Sequence, residues 1–146
     1  MEKKKFEVEV AFIISYMKKS TPYLFFVTNQ NQEMDFFRKT IELEGVGFNE
    51  GKAKDMIRDF LIQHLLGKGV FVNSQKMMFQ KMGKRKYLCK YFINLTEPKV
   101  NLKQGDFKDV HKAMNVKNRL SNLARQFLIN YVSEKRNLFF EEEGEV

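Results

Sequence analysis

The chain has no tryptophan, one cysteine and two prolines in 146 residues. The lone Cys89 excludes an internal disulfide and leaves no thiolate cluster for zinc. That fits the cytoplasm or another reducing intracellular compartment. No apolar run approaches the roughly 20 residues that span a bilayer. The acids in Phe6-Glu7-Val8-Glu9-Val10 are wrong for a signal peptide, so a soluble, unprocessed chain with no membrane partner is expected. Carboxylates also fail over a long stretch. None lies between Asp59 and Glu97, while Lys68, Lys76, Lys81, Lys84, Arg85, Lys86 and Lys90 do. Those cations hold most of the formal net charge of +8 and raise the expectation of an anionic partner such as nucleic acid, a nucleotide or a phosphorylated surface.

What is present is enough for one domain with a sizeable core: 43% of residues are hydrophobic and fifteen are Phe. Residues 1–140 are read as that domain, and Glu141-Glu142-Glu143-Gly144-Glu145-Val146 as an acidic tail. Phe6 to Met17 reads as a strand with Phe6, Val8, Val10, Phe12 and Ile14 on one face, and Ala11 to Ile14 is apolar on both. Lys18 to Pro22 has the composition of a turn, Tyr23 to Val27 that of a second buried strand, and the polar run Asn29 to Glu33 ends the pair. Phe36 to Leu43 is extended. Gly45, Gly47 and Gly51 mark a loop that needs unusual dihedrals or a close approach.

From Lys52 the period becomes helical. Met56, Ile57, Phe60, Leu61, His64 and Leu65 form its apolar side, and Gly67 and Gly69 stop it. Val70 to Val72, Met77 to Met82 and Tyr87 to Leu95 read as strands, the last two joined by a turn at Gly83 to Lys86. In an extended segment Cys89 shares a face with Tyr87, Tyr91 and Ile93, which makes it a buried small hydrophobe. A long helix from Phe107 or Val116 to Val132 closes the chain, with Leu120, Leu123, Ala124, Phe127, Leu128 and Tyr131 inward. The pattern predicts a mixed α/β or α+β domain, its sheet covered by helices on both faces.

Two sets of side chains could carry function. Lys76, Lys81, Lys84, Arg85, Lys86 and Lys90 interleave with Phe79, Tyr87 and Tyr91, a mixture suited to phosphates and stacked bases or, equally, to a solvated hairpin with its rings in a core. Lys112, Lys117, Arg119 and Arg125 on the last helix could extend this surface. Asp55 and Asp59 share a helix face and, with Glu50, Glu44 or Glu42, could hold a metal; surface ion pairs with Lys52, Lys54 and Arg58 are the favoured reading. His64 and His111 have no nucleophile and orienting acid at a recognisable spacing, so no triad is expected.

The segment Ile41-Glu42-Leu43-Glu44-Gly45-Val46-Gly47-Phe48-Asn49-Glu50-Gly51, the helix after it and Leu66-Gly67-Lys68-Gly69-Val70 resemble the Nudix hydrolases, whose signature is Gly-x5-Glu-x7-Arg-Glu-U-x-Glu-Glu-x-Gly-U with U bulky and aliphatic. The order of strands and the final helix agree with that family. The resemblance implies a Nudix-like mixed sheet between helices, and carboxylates on one helix that bind divalent metal and activate water. Anchored on Gly67, the signature places Lys52 at its first Glu, Phe60 and Leu61 at Arg-Glu, and His64 and Leu65 at the paired glutamates. Two residues back, it recovers Glu50, Arg58, Asp59 and Phe60 but puts Ile62 and Gln63 at the pair. Both registers lose the tandem acids, so no metal cofactor is favoured and a catalytically silent Nudix-like domain is expected. It would bind RNA or a nucleotide, or serve as a subunit of a larger assembly. A hydrolase of nucleoside diphosphate derivatives using Glu50, Asp55, Asp59 and magnesium is one alternative, and a protein-binding or homodimeric module is the other.

Overall fold

The structure is a computed structural model that describes residues 2–134; the tail expected at 141–146 lies outside the described residues. Its strands are β1 (Lys4–Lys18), β2 (Thr21–Thr28), β3 (Met34–Asp35), β4 (Phe37–Gly45), β5 (Val72–Gly83), β6 (Lys86–Leu95) and β7 (Gly105–Asp109). The helices are α1 (Glu50–Phe60), α2 (Val110–Met114) and α3 (Asn122–Glu134). The expected mixed α+β fold is present: a seven-stranded sheet in the order β3-β2-β1-β6-β5, with β4 also paired to β1 and β7 to β2.

β1 organises the sheet because it is long and apolar on both faces where it is central. Along one side it pairs antiparallel first with β4, from Lys4↔Gly45 to Phe12↔Phe37, and then with β2, from Ser15↔Leu24 to Lys18↔Thr21. Along the other side it runs parallel to β6, from Glu7↔Lys86 to Tyr16↔Leu95. Alternation then separates two cores. Phe6, Val8, Val10, Phe12 and Ile14 face α1, whose Ala53 and Ile57 are buried with Leu61 and Leu65 just beyond it. Ala11 and Ile13 face α2 and α3, against Phe36, Val110, Leu120, Ala124, Phe127 and Leu128. Phe36 and Phe37, ambiguous in phase, go to opposite cores.

Several boundaries differ from expectation. Pro22 lies inside β2 opposite Met17, and the β1–β2 turn is made by Lys19 and Ser20 at φ of 50° and 68°, the left-handed pair of a tight hairpin turn. Val72 to Gly83 is one strand. The closing helix does not begin at Phe107 or Val116: Phe107 is in β7, α2 and a 3-10 turn at Lys117–Arg119 intervene, and α3 starts at Asn122. The sequence pattern merged α2, the 3-10 turn and α3 because the apolar residues of this stretch fill one core, while Phe107 packs against the other. Arg125 alone among the four cations assigned to the last helix lies on α3. The Ser121 side chain caps α3, accepting from Ala124 N–H at 3.2 Å while its hydroxyl donates to Asp35 at 2.6 Å.

Cys89 is fully buried, as its face predicted. Burial, with the Glu50 charge adding to it, pushes its thiol from 9.0 up to about 12, and burial pushes the Tyr91 phenol from 10.0 up to about 12. Both groups stay protonated in the folded chain at pH values where the unfolded chain releases its protons. Stability from this source is therefore complete below pH 9 and is lost as pH rises from about 9 to about 12. A thiol-specific disulfide reagent at pH 8 should leave Cys89 unmodified in the native protein and label it fully in denaturant; rapid native labelling would contradict this burial.

Candidate functional site

The helix that the Nudix resemblance singles out does not gather carboxylates. α1 is capped by Asn49, whose side chain accepts from Lys52 N–H at 3.1 Å. Glu50 pairs with Lys54 at 3.1 Å and Asp55 with Arg58 at 3.5 Å. At 3.6 residues per turn, Glu50 projects about 140° around the axis from Asp55 and about 180° from Asp59. Beyond Phe60 the helix widens to a π-turn over Leu61–Leu65, closed by Leu66 N–H donating to Leu61 C=O at 2.8 Å. That turn holds one residue more than an α-turn, which accounts for half of the two-residue offset between the two registers of the signature. Glu50, Arg58 and Asp59 fit ahead of it and Gly67 fits behind it.

At the positions of the paired glutamates, Ile62, Gln63 and His64 are exposed. His64 was expected on the apolar side; the π-turn carries it outward, leaving only ring contact with Phe60 at 4.9 Å between centroids. Among the described residues, no three His, Cys, Asp or Glu side chains come together as metal ligands. The residues present therefore do not fit the divalent ion that the resemblance implies.

Alternation divides the basic hairpin. On β6, Tyr87, Cys89 and Tyr91 turn toward the α1 core, where Tyr87 stacks on Phe48 with centroids 3.9 Å apart and Tyr91 is fully buried. Phe79 of β5 packs against the same Phe48 at 6.0 Å. Lys86 and Lys90 project from the opposite face, with Leu88 between them. Lys76 joins them on β5, Lys81 lies on the α1 side, and Lys84 and Arg85 form the exposed turn.

Among the described residues that opposite face is left uncovered beside the start of α3, and it floors a cleft of about 1220 Å³. The walls come from elements far apart in sequence: β1, the stretch from the end of β2 through β3 to Arg38 of β4, the end of β5, β6, and the start of α3. Asp35 ties two of them together. It accepts from Phe36 N–H at 2.8 Å, Arg38 Nη2 at 3.0 Å and Ser121 Oγ at 2.6 Å. Arg38 Nη1 also reaches Glu9 at 3.3 Å, and Arg38 Nε lies 3.0 Å from Asp35 Oδ2 without an aligned hydrogen bond. Burial by itself lowers the Arg38 pKa, but the Asp35 hydrogen bond and the charges of Asp35 and Glu9 hold it above its ordinary value. Asn29 fixes the neighbouring loop, accepting from Asn31 and Glu33 N–H at 2.9 Å each.

The remaining lining is rich in amides: Gln30, Asn31, Gln80, Asn122 and Gln126 reach the cleft, flanked by Met82, Leu88 and Leu123. Its three cations, Arg38, Lys86 and Lys90, face four carboxylates, Glu7, Glu9, Glu33 and Asp35. Such a wall can donate and accept many hydrogen bonds to a neutral polar heterocycle and offers little net attraction to a phosphate. No residue of α1 lines it. Lys86, Tyr87 and Lys90 were the cleft residues already singled out in the sequence. The amides were missed, although the run Asn29 to Gln32 and the helical spacing of Asn122 and Gln126 were visible.

No protein-family model and no curated protein sequence matches the chain. Solved structures do. An Ap4A hydrolase from C. elegans superposes over 88% of this chain and 97% of its own, with a TM-score of 0.52 at 12% identity. A binary complex of a C. elegans Ap4A hydrolase aligns over 86% and 95%, with a TM-score of 0.51 at 12% identity. The NUDIX domain of Shewanella oneidensis NrtR, complexed with ADP ribose, aligns over 88% and 86%, with a TM-score of 0.42 at 8% identity. The two C. elegans superpositions, at 12% identity, show a likeness of fold, and the fold of this chain is Nudix-like.

Proposed function

We propose that this chain is a Nudix-like domain that binds a nucleotide or a nucleotide unit of RNA without cleaving it. The observation that carries this reading is the position of the cleft. It lies on the sheet face opposite α1 and is lined by amides and thioether or aliphatic side chains, so a bound base finds hydrogen-bonding partners there. A diphosphate attached to that base meets no cluster of helix acids. In this reading α1 serves folding: its apolar side packs against β1, and its Glu50 and Asp55 pair with Lys54 and Arg58 along its outer surface.

Isothermal titration of AMP, ADP, ADP-ribose and diadenosine tetraphosphate, with and without magnesium, tests it. Saturable binding is expected for at least one of them. The Asn31→Ala/Gln126→Ala double variant, which removes two exposed amides, should weaken that binding by about 30-fold, the value of two ordinary hydrogen bonds. Unchanged affinity in the double variant overturns the placement of the ligand. Metal-dependent turnover lost on Asp59→Ala would instead favour the hydrolase reading through Glu50, Asp55 and Asp59.

A further inference from the structure

The cleft does not end at the last amide. Glu7 and Lys86, cross-strand partners on β1 and β6, line it and also line a second cavity of about 440 Å³ at the tip of the sheet. This second cavity is formed by the start of β1, by Glu42 of β4 and by the β5–β6 turn, and it contains Lys5, Lys84, Arg85 and Lys86 against Glu7 and Glu42. Its balance is thus two positive charges, where the cleft has one excess carboxylate.

The tip is held in place. Glu7 N–H donates to Arg85 C=O at 2.9 Å, which fixes the β5–β6 turn beside the first residues of β1 and brings Lys5 next to a turn eighty residues away. Lys5, Lys84 and Arg85 are all exposed, and none pairs with a carboxylate among the described residues. Cations held at a turn without partners keep their full attraction for an incoming anion, and three or four together discriminate strongly for polyanions.

We infer that the cleft takes one unit of a single-stranded oligonucleotide whose adjoining phosphates run out over Lys86 onto Lys5, Lys84 and Arg85. This rests on the reading of the cleft as a base site and adds the class of ligand: a chain of nucleotides, not a free mononucleotide. The division of labour follows from charge. The cleft, with its excess carboxylate, accepts a base and expels phosphate; the cavity it meets past Arg38 adds no further cation and includes Asp35, whereas the exit past Lys86 leads to the basic tip. The phosphates are thereby drawn toward the hairpin turn. Sequence tolerance is set in the cleft and electrostatic affinity at the tip, as in other single-strand binders that divide base and backbone contacts.

The test compares the four nucleoside monophosphates with 5′-fluorescein hexanucleotides of A, U and C in RNA and DNA form, by anisotropy and competition. The proteins are wild type and the Lys5→Ala/Lys84→Ala/Arg85→Ala variant, whose thermal melt confirms folding. Hexanucleotides should bind at least about tenfold more tightly than monophosphates, and the triple variant should lose that gain. Between about 25 and about 200 mM salt, the log–log slope for the hexanucleotide should fall in magnitude by about 2 in the variant, since each single-strand phosphate contact contributes about 0.7.

Monophosphate binding with no gain for hexanucleotides, or a gain and a slope untouched by the variant, overturns this inference and leaves the base site standing. Absence of monophosphate binding from cleft and variant alike removes the base site, and this inference with it. Tripolyphosphate that displaces the hexanucleotide completely, at equal affinity, would show a polyphosphate site in place of an oligonucleotide path. RNA binding more tightly than DNA would assign a role to the 2′-hydroxyl at the amides, and equal binding would assign both sugars to the same path; either supports the path itself.

Discussion

Gly105→Ala is expected to destabilise the protein by about 3 kcal/mol, the upper end of what overpacking a core costs, and to lower the melting temperature by roughly 10 °C in a chain of this size. Gly105 opens β7 opposite Val27 of β2. A methyl group built on it would lie 2.1 Å from Phe25 Cζ, and 2.7 and 2.8 Å from the two Cε atoms. The Phe25 ring cannot withdraw, because it is 2% exposed and is held edge-on by Phe107 at 5.4 Å. β7 must then leave β2, or the ring must leave the α1 core. Gly47→Ala, where nothing lies within 4 Å, should change stability by no more than about 0.5 kcal/mol. The Phe25→Leu/Gly105→Ala double variant should recover part of the loss, giving a coupling of about 1 kcal/mol or more in chemical denaturation. Simple additivity would show that the two residues do not meet.

The second large effect is at Asp35. Asp35→Ala removes a carboxylate that is 5% exposed and accepts from three donors, and it leaves the guanidinium of Arg38 with Glu9 alone. Breaking a buried charge pair costs about 3 to 5 kcal/mol. Because Arg38 retains 29% of its side-chain exposure, water recovers part of that, and a loss of about 3 kcal/mol is expected. Asp35→Asn keeps the shape and one acceptor oxygen, and should lose about half as much. Since Asp35 joins β3, β4 and the start of α3 around the cleft, both variants should also weaken nucleotide binding, more than proportionally for the alanine form. Urea denaturation and isothermal titration of the same preparations measure the two losses. Full stability in Asp35→Ala would contradict the network.

β1, β2 and β6 were legible in the sequence, and period-2 alternation along β1 and β6 is a local signal: Phe6 to Ile14 and Tyr87 to Ile93 each name their buried face. What was not legible depends on contacts between distant segments. Of the three glycines that drew attention, Gly45, Gly47 and Gly51, none has positive φ and only Gly45 sits in a close approach, its Cβ position 3.2 Å from Gly47 O; among the described residues the left-handed glycine is Gly69. Gly105 looked like any loop glycine until Phe25 was placed over it. The closing helix, expected to start at Phe107 or Val116, starts at Asn122: Phe107, Val110, Ala113 and Leu120 are apolar at nearly helical intervals, yet Phe107 serves the other core from a strand.

The aromatic and basic residues of the hairpin were correctly seen as interleaved in sequence. In space a strand sends neighbours to opposite faces, so Tyr87 and Tyr91 join the core while Lys86 and Lys90 face the cleft. The cleft itself was hidden because it is assembled from five separate segments, none with a motif of its own. The missing acids of the helix, by contrast, needed no structure to be seen. The π-turn supplies one of the two residues by which the Nudix signature's halves differ in register.

The central claim is binding without cleavage, and one measurement bears on it most directly. Purified protein is incubated with ADP-ribose, diadenosine tetraphosphate and hexanucleotide RNA in the presence of magnesium or manganese, and bound ligand and released products are quantified in the same samples by equilibrium dialysis and ion-exchange chromatography. The account predicts saturable retention of a nucleotide ligand with no product above the protein-free control, unaltered by Asp59→Ala. Metal-dependent product formation by wild type that Asp59→Ala abolishes would contradict it.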